Sequence, residues 1–217
     1  MDAYAAVVLA GGAARRMGGV DKPARTVGGL PMRERVLAAV ADAAPRILVG
    51  PPGPAPAGVR VIREEPPGGG PVAAAAAGVA LLGPGTPVVA LLAADLPLLT
   101  RPAVGELLAQ LHAGHDGACY VDGAGRRQPL CGVWRLEPLR AALDHLATER
   151  ADGPAGGGVE RVDGPAGGGA APLAGASMRA LLAGLRVREV PWVGAGPPPW
   201  FDCDTDEDVR RAEEWAR

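Results

Sequence analysis

AAVVLAGGAARRMGGVDK, residues 5–22, is the stretch that decides the fold class. Its apolar first part, Ala5–Ala10, has the length and the Val and Leu content of a buried β-strand, and Gly11 and Gly12 end it. The segment Gly11–Val20 holds four glycines, and a glycine-rich backbone can approach a ligand closely. We therefore predict a strand that leads directly into a ligand-binding loop.

The charges of this loop indicate that the ligand carries phosphates. Backbone N–H groups after the strand can point at phosphate oxygens, and Arg15, Arg16 and Lys22 add positive charge. Lys22 is the only lysine in the chain, which favours a role for a compact ammonium group. The spacing matches neither the Walker A loop nor the dinucleotide fingerprint. The alternative is an ordinary glycine-rich turn with solvated arginines.

The segments that follow predict an α/β fold. Helical spacing over Pro31–Ala44, Val72–Leu82 and Pro102–His112 alternates with strand-like runs, of which Pro87–Ala93 is continuously apolar. This order predicts a Rossmann-like, mostly parallel sheet with helices on both faces. Such sheets bind ligands beyond the carboxyl ends of their strands. Asp95 follows a predicted strand just as Gly11 does, so both are expected at one crevice.

The second half of the sequence is less regular. Residues 118–122 and 128–135 are typical of strands in an antiparallel addition to the sheet. A near-tandem DGPAGGG repeat occupies residues 152–169, and its composition predicts a flexible loop at about 151–172. A lid over bound substrate is the alternative. We predict a single domain over residues 1–217.

Bulk properties exclude several classes of protein. The net charge of −2 provides no basic field for nucleic acid. The apolar runs are too short to span a bilayer, and no signal-peptide pattern opens the chain, so we predict a cytoplasmic protein without membrane contact. The four tryptophans are too dispersed in sequence to predict a stacking platform.

Several motifs together resemble the molybdenum cofactor guanylyltransferase family, which belongs to a wider nucleotidyltransferase superfamily with a nucleotide-diphospho-sugar transferase-like fold. The N-terminal signature is Leu9-Ala10-Gly11-Gly12, then Arg16-Met17-Gly18, then Asp21-Lys22. Further similar elements are Gly70-Pro71-Val72-Ala73-Ala74, Ala94-Asp95-Leu96-Pro97, Gln128-Pro129-Leu130 and Asp204-Thr205-Asp206-Glu207-Asp208.

This resemblance implies roles for individual residues. Lys22, Asp95 and Arg16 are the expected catalytic residues, with Asp95 and Asp204 as ligands of Mg²⁺, which prefers carboxylate and phosphate oxygens. For Asp95 the alternative is a turn residue, and for Asp204 it is helix capping. The expected nucleotide-binding residues are Leu9, Ala10, Gly11, Gly12, Arg15, Lys22, Glu64 and Asp95. Glu65 remains an alternative to Glu64.

The function implied is transfer of GMP from GTP to the molybdopterin-bound molybdenum cofactor, which yields a guanine dinucleotide cofactor and pyrophosphate. Transient contact with cofactor-biosynthesis proteins or recipient enzymes is also expected. One alternative is a molybdenum cofactor cytidylyltransferase or another small-molecule nucleotidyltransferase on the same fold. A different class is a non-catalytic protein that binds the nucleotide or the cofactor.

Overall fold

The computed structural model describes residues 3–11, 22–152 and 171–217. Within these ranges the chain alternates strands with helices, as the sequence predicts. The strands are β1 (Tyr4–Leu9), β2 (Thr26–Val27), β3 (Leu30–Pro31), β4 (Arg46–Val49), β5 (Val59–Ile62), β6 (Val88–Ala93), β7 (Gly117–Val121), β8 (Arg127–Arg135) and β9 (Val187–Pro191). The α-helices are α1 (Met32–Ala39), α2 (Pro71–Val79), α3 (Arg101–Gln110), α4 (Leu136–Asp152), α5 (Met178–Leu181) and α6 (Asp206–Trp215).

Seven of the strands in the described ranges form one mixed sheet, in the order β5-β4-β1-β6-β8-β7-β9. The four strands from β5 to β6 are parallel, and β8 runs antiparallel to both β6 and β7. The last strand, β9, pairs with β7 in parallel. The prediction of a mostly parallel sheet with an antiparallel addition is confirmed.

Helices cover both faces of this sheet. On β1, Ala5 and Val7 point into the core formed with α2, α4 and α5, whereas Ala6 and Val8 point into the core formed with α1 and α3. Successive side chains of a strand face opposite sides, so a strand that is buried on both faces must be apolar throughout. This requirement explains the continuous apolar runs in β1 and β6.

Several predicted boundaries differ from the structure. Helix α1 begins at Met32 rather than Pro31, because Pro31 pairs with Thr26 in a small hairpin that turns at Gly28 and Gly29 with positive φ. Helix α4 continues to Asp152, and residues 171–173 form a 3₁₀ turn, so the predicted flexible loop is ordered at both ends. Its remainder, 153–170, lies outside the described residues.

A third, smaller core anchors the C-terminal helix. Val209 and Ala212 of α6 pack with Met32 and with Leu98, which follows β6. Buried Cys203 belongs to the same cluster, so the segment before α6 lies against the carboxyl end of β6. None of the helices in the described ranges has the length and hydropathy needed to cross a membrane.

Candidate active site

The carboxyl ends of the parallel strands β1 and β6 lie side by side. Leu9 pairs with Ala93, and the Leu9 carbonyl accepts a hydrogen bond of 2.9 Å from the N–H of Ala94. Beyond this edge is a cavity of about 630 Å³ whose wall includes both Gly11 and Asp95. The structure thus brings Gly11 and Asp95, the predicted metal ligand, to one crevice, as parallel topology requires.

The cavity has two sides. On the β1 side its wall is formed by Leu9, Ala10 and Gly11. On the opposite side the wall is formed by residues 128–131 of β8 and by Trp200. Asp95 follows β6, which lies between β1 and β8 in the sheet.

The cavity wall contains the ammonium group of Lys22, which is held by two carboxylates. Lys22 Nζ donates hydrogen bonds of 2.5 Å to Asp95 Oδ2 and to Asp204 Oδ1. Burial lowers the pKa of Lys22, but the hydrogen bonds from Asp204 and Asp95 and their negative charges outweigh it, so the pKa is raised overall. The ammonium therefore stays protonated at neutral pH. Two carboxylates from distant parts of the sequence converge on one cationic position.

Contacts of the neighbouring residues on both sides help to place Asp204. The N–H of Cys203 donates to the carbonyl of Asp95 at 3.2 Å, which ties residues 202–204 to the end of β6. Immediately after Asp204, Thr205 and Asp208 form a reciprocal capping box at the start of α6. The capping role that the sequence left open for Asp204 thus belongs to Thr205 and Asp208.

Asp202 also lines the cavity, and the sequence did not mark it as a site residue. Desolvation raises the pKa of its carboxyl group, and the negative charge of Asp204 raises it further. The sequence signal that could have identified Asp202 is its position two residues before Asp204 in an extended segment.

Glu64 follows β5 and is buried, with 5% of its surface exposed. Its Oε1 accepts a hydrogen bond of 3.0 Å from the N–H of Gly68, in a turn where Gly68 and Gly70 have positive φ. A Cβ atom on Gly11 would lie 3.3 Å from the same oxygen. Within the described residues, Glu64 does not line the cavity but lies next to Gly11, and its role in nucleotide binding stays a prediction.

Three predicted site residues, Gly12, Arg15 and Arg16, lie outside the described residues, and their roles stay predictions. Across the described ranges, no group of three or more His, Cys, Asp or Glu side chains is arranged to hold a metal ion. A magnesium site here would thus rest on the pair Asp95 and Asp204, completed by oxygens of the substrate.

A family profile for the MobA-like NTP transferase domain matches residues 6–155. The chain belongs to this family. The resemblance found in the sequence is therefore confirmed, and the chain is a nucleotidyltransferase. Residues 6–155 include most of β1, Lys22 and Asp95 but stop before Asp204.

Named relatives extend the similarity over most of the chain. A molybdenum cofactor guanylyltransferase of Nitrobacter hamburgensis is 32% identical over 226 residues, which cover 97% of this chain and 93% of the relative. A molybdenum cofactor guanylyltransferase of Cereibacter sphaeroides is 35% identical over 154 residues, covering 69% of this chain and 76% of the relative.

Solved structures show the same fold. Molybdopterin-guanine dinucleotide biosynthesis protein A of Archaeoglobus fulgidus superposes with a TM-score of 0.62 at 19% identity, covering 96% of each chain. The 2-C-methyl-D-erythritol 4-phosphate cytidylyltransferase of Thermus thermophilus superposes with a TM-score of 0.62 at 22% identity, covering 99% of each chain. The predicted fold class is confirmed. It is shared by a protein named for a guanine dinucleotide and by one named as a cytidylyltransferase.

Proposed function

We propose that this nucleotidyltransferase transfers GMP from GTP to the molybdopterin-bound molybdenum cofactor. The observation that carries the proposal is the Lys22–Asp95–Asp204 cluster in the wall of the cavity beside Leu9–Gly11. The names of the relatives at 32% and 35% identity support the choice of GTP and of the molybdenum cofactor as substrates.

The β1 side of the cavity would hold the nucleotide. The backbone of Leu9, Ala10 and Gly11 lines it, and Lys22 supplies a protonated ammonium for the phosphate oxygens. Gly12, Arg15 and Arg16 are predicted to add to this phosphate site. Glu64 is also predicted to bind the nucleotide, and its buried carboxylate, which accepts a hydrogen bond from Gly68, lies next to Gly11.

Asp95 and Asp204 fit a magnesium ion. Both present carboxylate oxygens to a position that already holds the positive charge of Lys22, and Mg²⁺ usually takes one or two carboxylates together with phosphate oxygens. Bound between them, magnesium would neutralise charge that develops on the phosphates. Lys22 would then donate to the phosphate oxygens of the triphosphate.

The reaction needs positioning and charge neutralisation rather than a protein nucleophile. A phosphate oxygen of the acceptor forms a bond to the α-phosphorus of GTP. The bond between the α-phosphorus and the bridging oxygen breaks, and pyrophosphate leaves with that oxygen. The residues of this chain hold the two substrates in line and stabilise the negative charge.

The test is pyrophosphate release by purified protein with Mg²⁺ and each of GTP, CTP, ATP and UTP, with and without molybdopterin cofactor. We expect turnover only with GTP and the cofactor together. Turnover with CTP instead would assign the chain to cytidylyl transfer. Nucleotide binding without any turnover would contradict the proposed reaction.

The Asp95→Asn variant tests the site. It removes the charge but keeps the shape, and loss of one preorganised electrostatic partner costs about 100- to 1,000-fold in kcat. The matched control is Asp144→Asn, because Asp144 lies on the exposed face of α4 away from the cavity. Full activity of Asp95→Asn would contradict the metal assignment, whereas equal losses in both variants would indicate a general effect on the protein.

Cytoplasmic localisation and transient contact with cofactor-biosynthesis proteins or recipient enzymes accord with this function. They remain part of the proposal. Fractionation and pull-down with recipient molybdoenzymes would test them.

A further inference from the structure

Three aromatic rings from separate segments meet on the β8 side of the cavity. Tyr120 of β7 lies with its ring centroid 5.7 Å from that of Trp192, in an edge-to-face arrangement, and 5.2 Å from that of Trp200. Trp192 follows β9, and Trp200 follows a proline run. Two of the four tryptophans, which look dispersed in the sequence, thus converge on Tyr120.

This aromatic cluster is held rigidly. The Tyr120 ring is buried, and its hydroxyl lies 2.9 Å from the Ala103 carbonyl and 2.8 Å from Glu106 Oε2. Trp192 Nε1 donates to the carbonyl of Gly196 at 3.0 Å. Trp200 therefore rests on a fixed base, and little conformational entropy is lost when a ligand packs against its ring.

Trp200 is the member of the cluster that faces the site. It is half-buried and lines the cavity together with Gln128 and Leu130 of β8, whereas Tyr120 and Trp192 are not among the described residues of the wall. Half-exposed tryptophan in a concave site offers a large apolar face to a planar ligand.

The direction of the reaction decides which substrate meets this face. The attacking and leaving oxygens lie roughly in line on opposite sides of the transferred phosphorus. Under the proposed function, the pyrophosphate end of the nucleotide lies at Lys22 and at Gly11, and Gly11 is on the β1 side. The acceptor must then approach from the β8 side, where Trp200 lies.

We propose that Trp200 is a specificity-determining residue that binds the acceptor by stacking on its flat pterin ring, with Tyr120 and Trp192 as positioning residues. The inference rests on the proposed function for the identity of the acceptor. A planar, conjugated heterocycle is the part of that acceptor which an indole face recognises, since stacking depends on the π-face and tolerates differences at the ring edges.

Steady-state kinetics with Mg²⁺, GTP and molybdopterin cofactor test this assignment. We expect Trp200→Leu to raise the KM for the cofactor about 10- to 100-fold, because stacking of one base on an aromatic side chain contributes a factor of this size. The KM for GTP should change by less than about twofold. Trp200→Phe keeps an aromatic face and should recover a large part of the loss.

A matched pair of variants provides a readout that does not depend on turnover. Trp200→Phe and Trp192→Phe each remove one indole from the same aromatic cluster, but only Trp200 lines the cavity. Cofactor binding should quench tryptophan fluorescence in the wild type and in Trp192→Phe, and the quench should largely disappear in Trp200→Phe.

The outcomes separate this inference from the proposed function. If the wild type turns over GTP and cofactor while Trp200→Leu leaves the cofactor KM unchanged, the stacking role is wrong and the function stands. If Trp200→Leu instead raises the KM for GTP, the ring binds the nucleotide and the inference is overturned. A wild type that neither binds nor uses the cofactor would overturn both.

Discussion

Gly78 sets the distance between α2 and the sheet, and replacing it with alanine tests that packing. A Cβ atom at Gly78 would lie 2.4 Å from Val7 Cγ1 and 3.2 Å from Val49 Cγ2. Both valines are completely buried, on β1 and β4. Carbon atoms in contact are normally about 3.5–4.0 Å apart, so α2 must move by about 1 Å or Val7 must leave its rotamer.

The magnitude follows from two opposing effects. Overpacking a dense core by one methyl costs about 1–3 kcal/mol, and an overlap this deep belongs at the upper end. Alanine in place of glycine inside a helix returns about 1 kcal/mol. We therefore expect Gly78→Ala to lower the free energy of unfolding by about 2 kcal/mol, which corresponds to a fall of about 4–8 °C in Tm.

Urea unfolding followed by far-UV circular dichroism measures this change. Gly83→Ala is the matched control, because a Cβ atom there would have no heavy atom within 4 Å, and its unfolding midpoint should stay close to that of the wild type. In the double variant Val7→Ala/Gly78→Ala, the loss in free energy of unfolding should be smaller than the sum of the two single losses by at least about 1 kcal/mol. A Gly78→Ala protein as stable as the wild type, or strictly additive effects, would refute the reasoning.

Two further predictions concern stability. Thr205→Ala removes the hydrogen bond that Thr205 Oγ1 accepts from the N–H of Asp208 and the one that it donates to Asp208 Oδ2, and it leaves the backbone half of the capping box in place. It should lower the free energy of unfolding by about 1 kcal/mol, measured by urea unfolding against Ser177→Ala, the same loss of a cap at a much shorter helix. An unchanged midpoint would show that the Thr205 side chain contributes nothing. The hydrogen bond from Arg186 lowers the pKa of Asp116 below its usual 3.8, and burial opposes this with a smaller effect. The pair therefore stabilises the fold above pH 3.8, and this stabilisation is lost as the pH falls through the lowered folded pKa. Asp116→Asn should therefore be less stable than the wild type at pH 7 and should approach it as the pH falls below 3.8 and through the lowered folded pKa. A stability gap that is constant with pH would contradict this linkage.

The sequence predicted the fold well because its main signals are local. The apolar runs of β1 and β6 require a strand buried on both faces, and parallel strands that end together bring Gly11 and Asp95 to one crevice. The position of Asp204 is different. Its approach to Lys22 depends on a backbone hydrogen bond between Cys203 and Asp95 and on the packing of α6, and no pattern near residue 204 encodes either contact.

The aromatic cluster could not be predicted for a similar reason. Tyr120 meets Trp192 and Trp200 only because β9 pairs in parallel with β7, which is a contact between segments about 70 positions apart. The signal for β9 itself is weak, since only one residue of this short strand is buried. Asp204 was predicted from the resemblance to a family, whereas only the three-dimensional structure shows that Trp200 lines the cavity.

The ion cluster around Lys22 has a consequence for the order in which the molecule becomes active during synthesis. Lys22, Asp95 and Asp204 are spread over nearly the full length of the chain, and Asp204 is held by the last helix. A ribosome-bound chain that ends near residue 155 already contains β1, Lys22 and Asp95, but it lacks Asp204. The acid pair can therefore form only after residue 204 has been synthesised, and we expect a chain that stops before this residue to lack it.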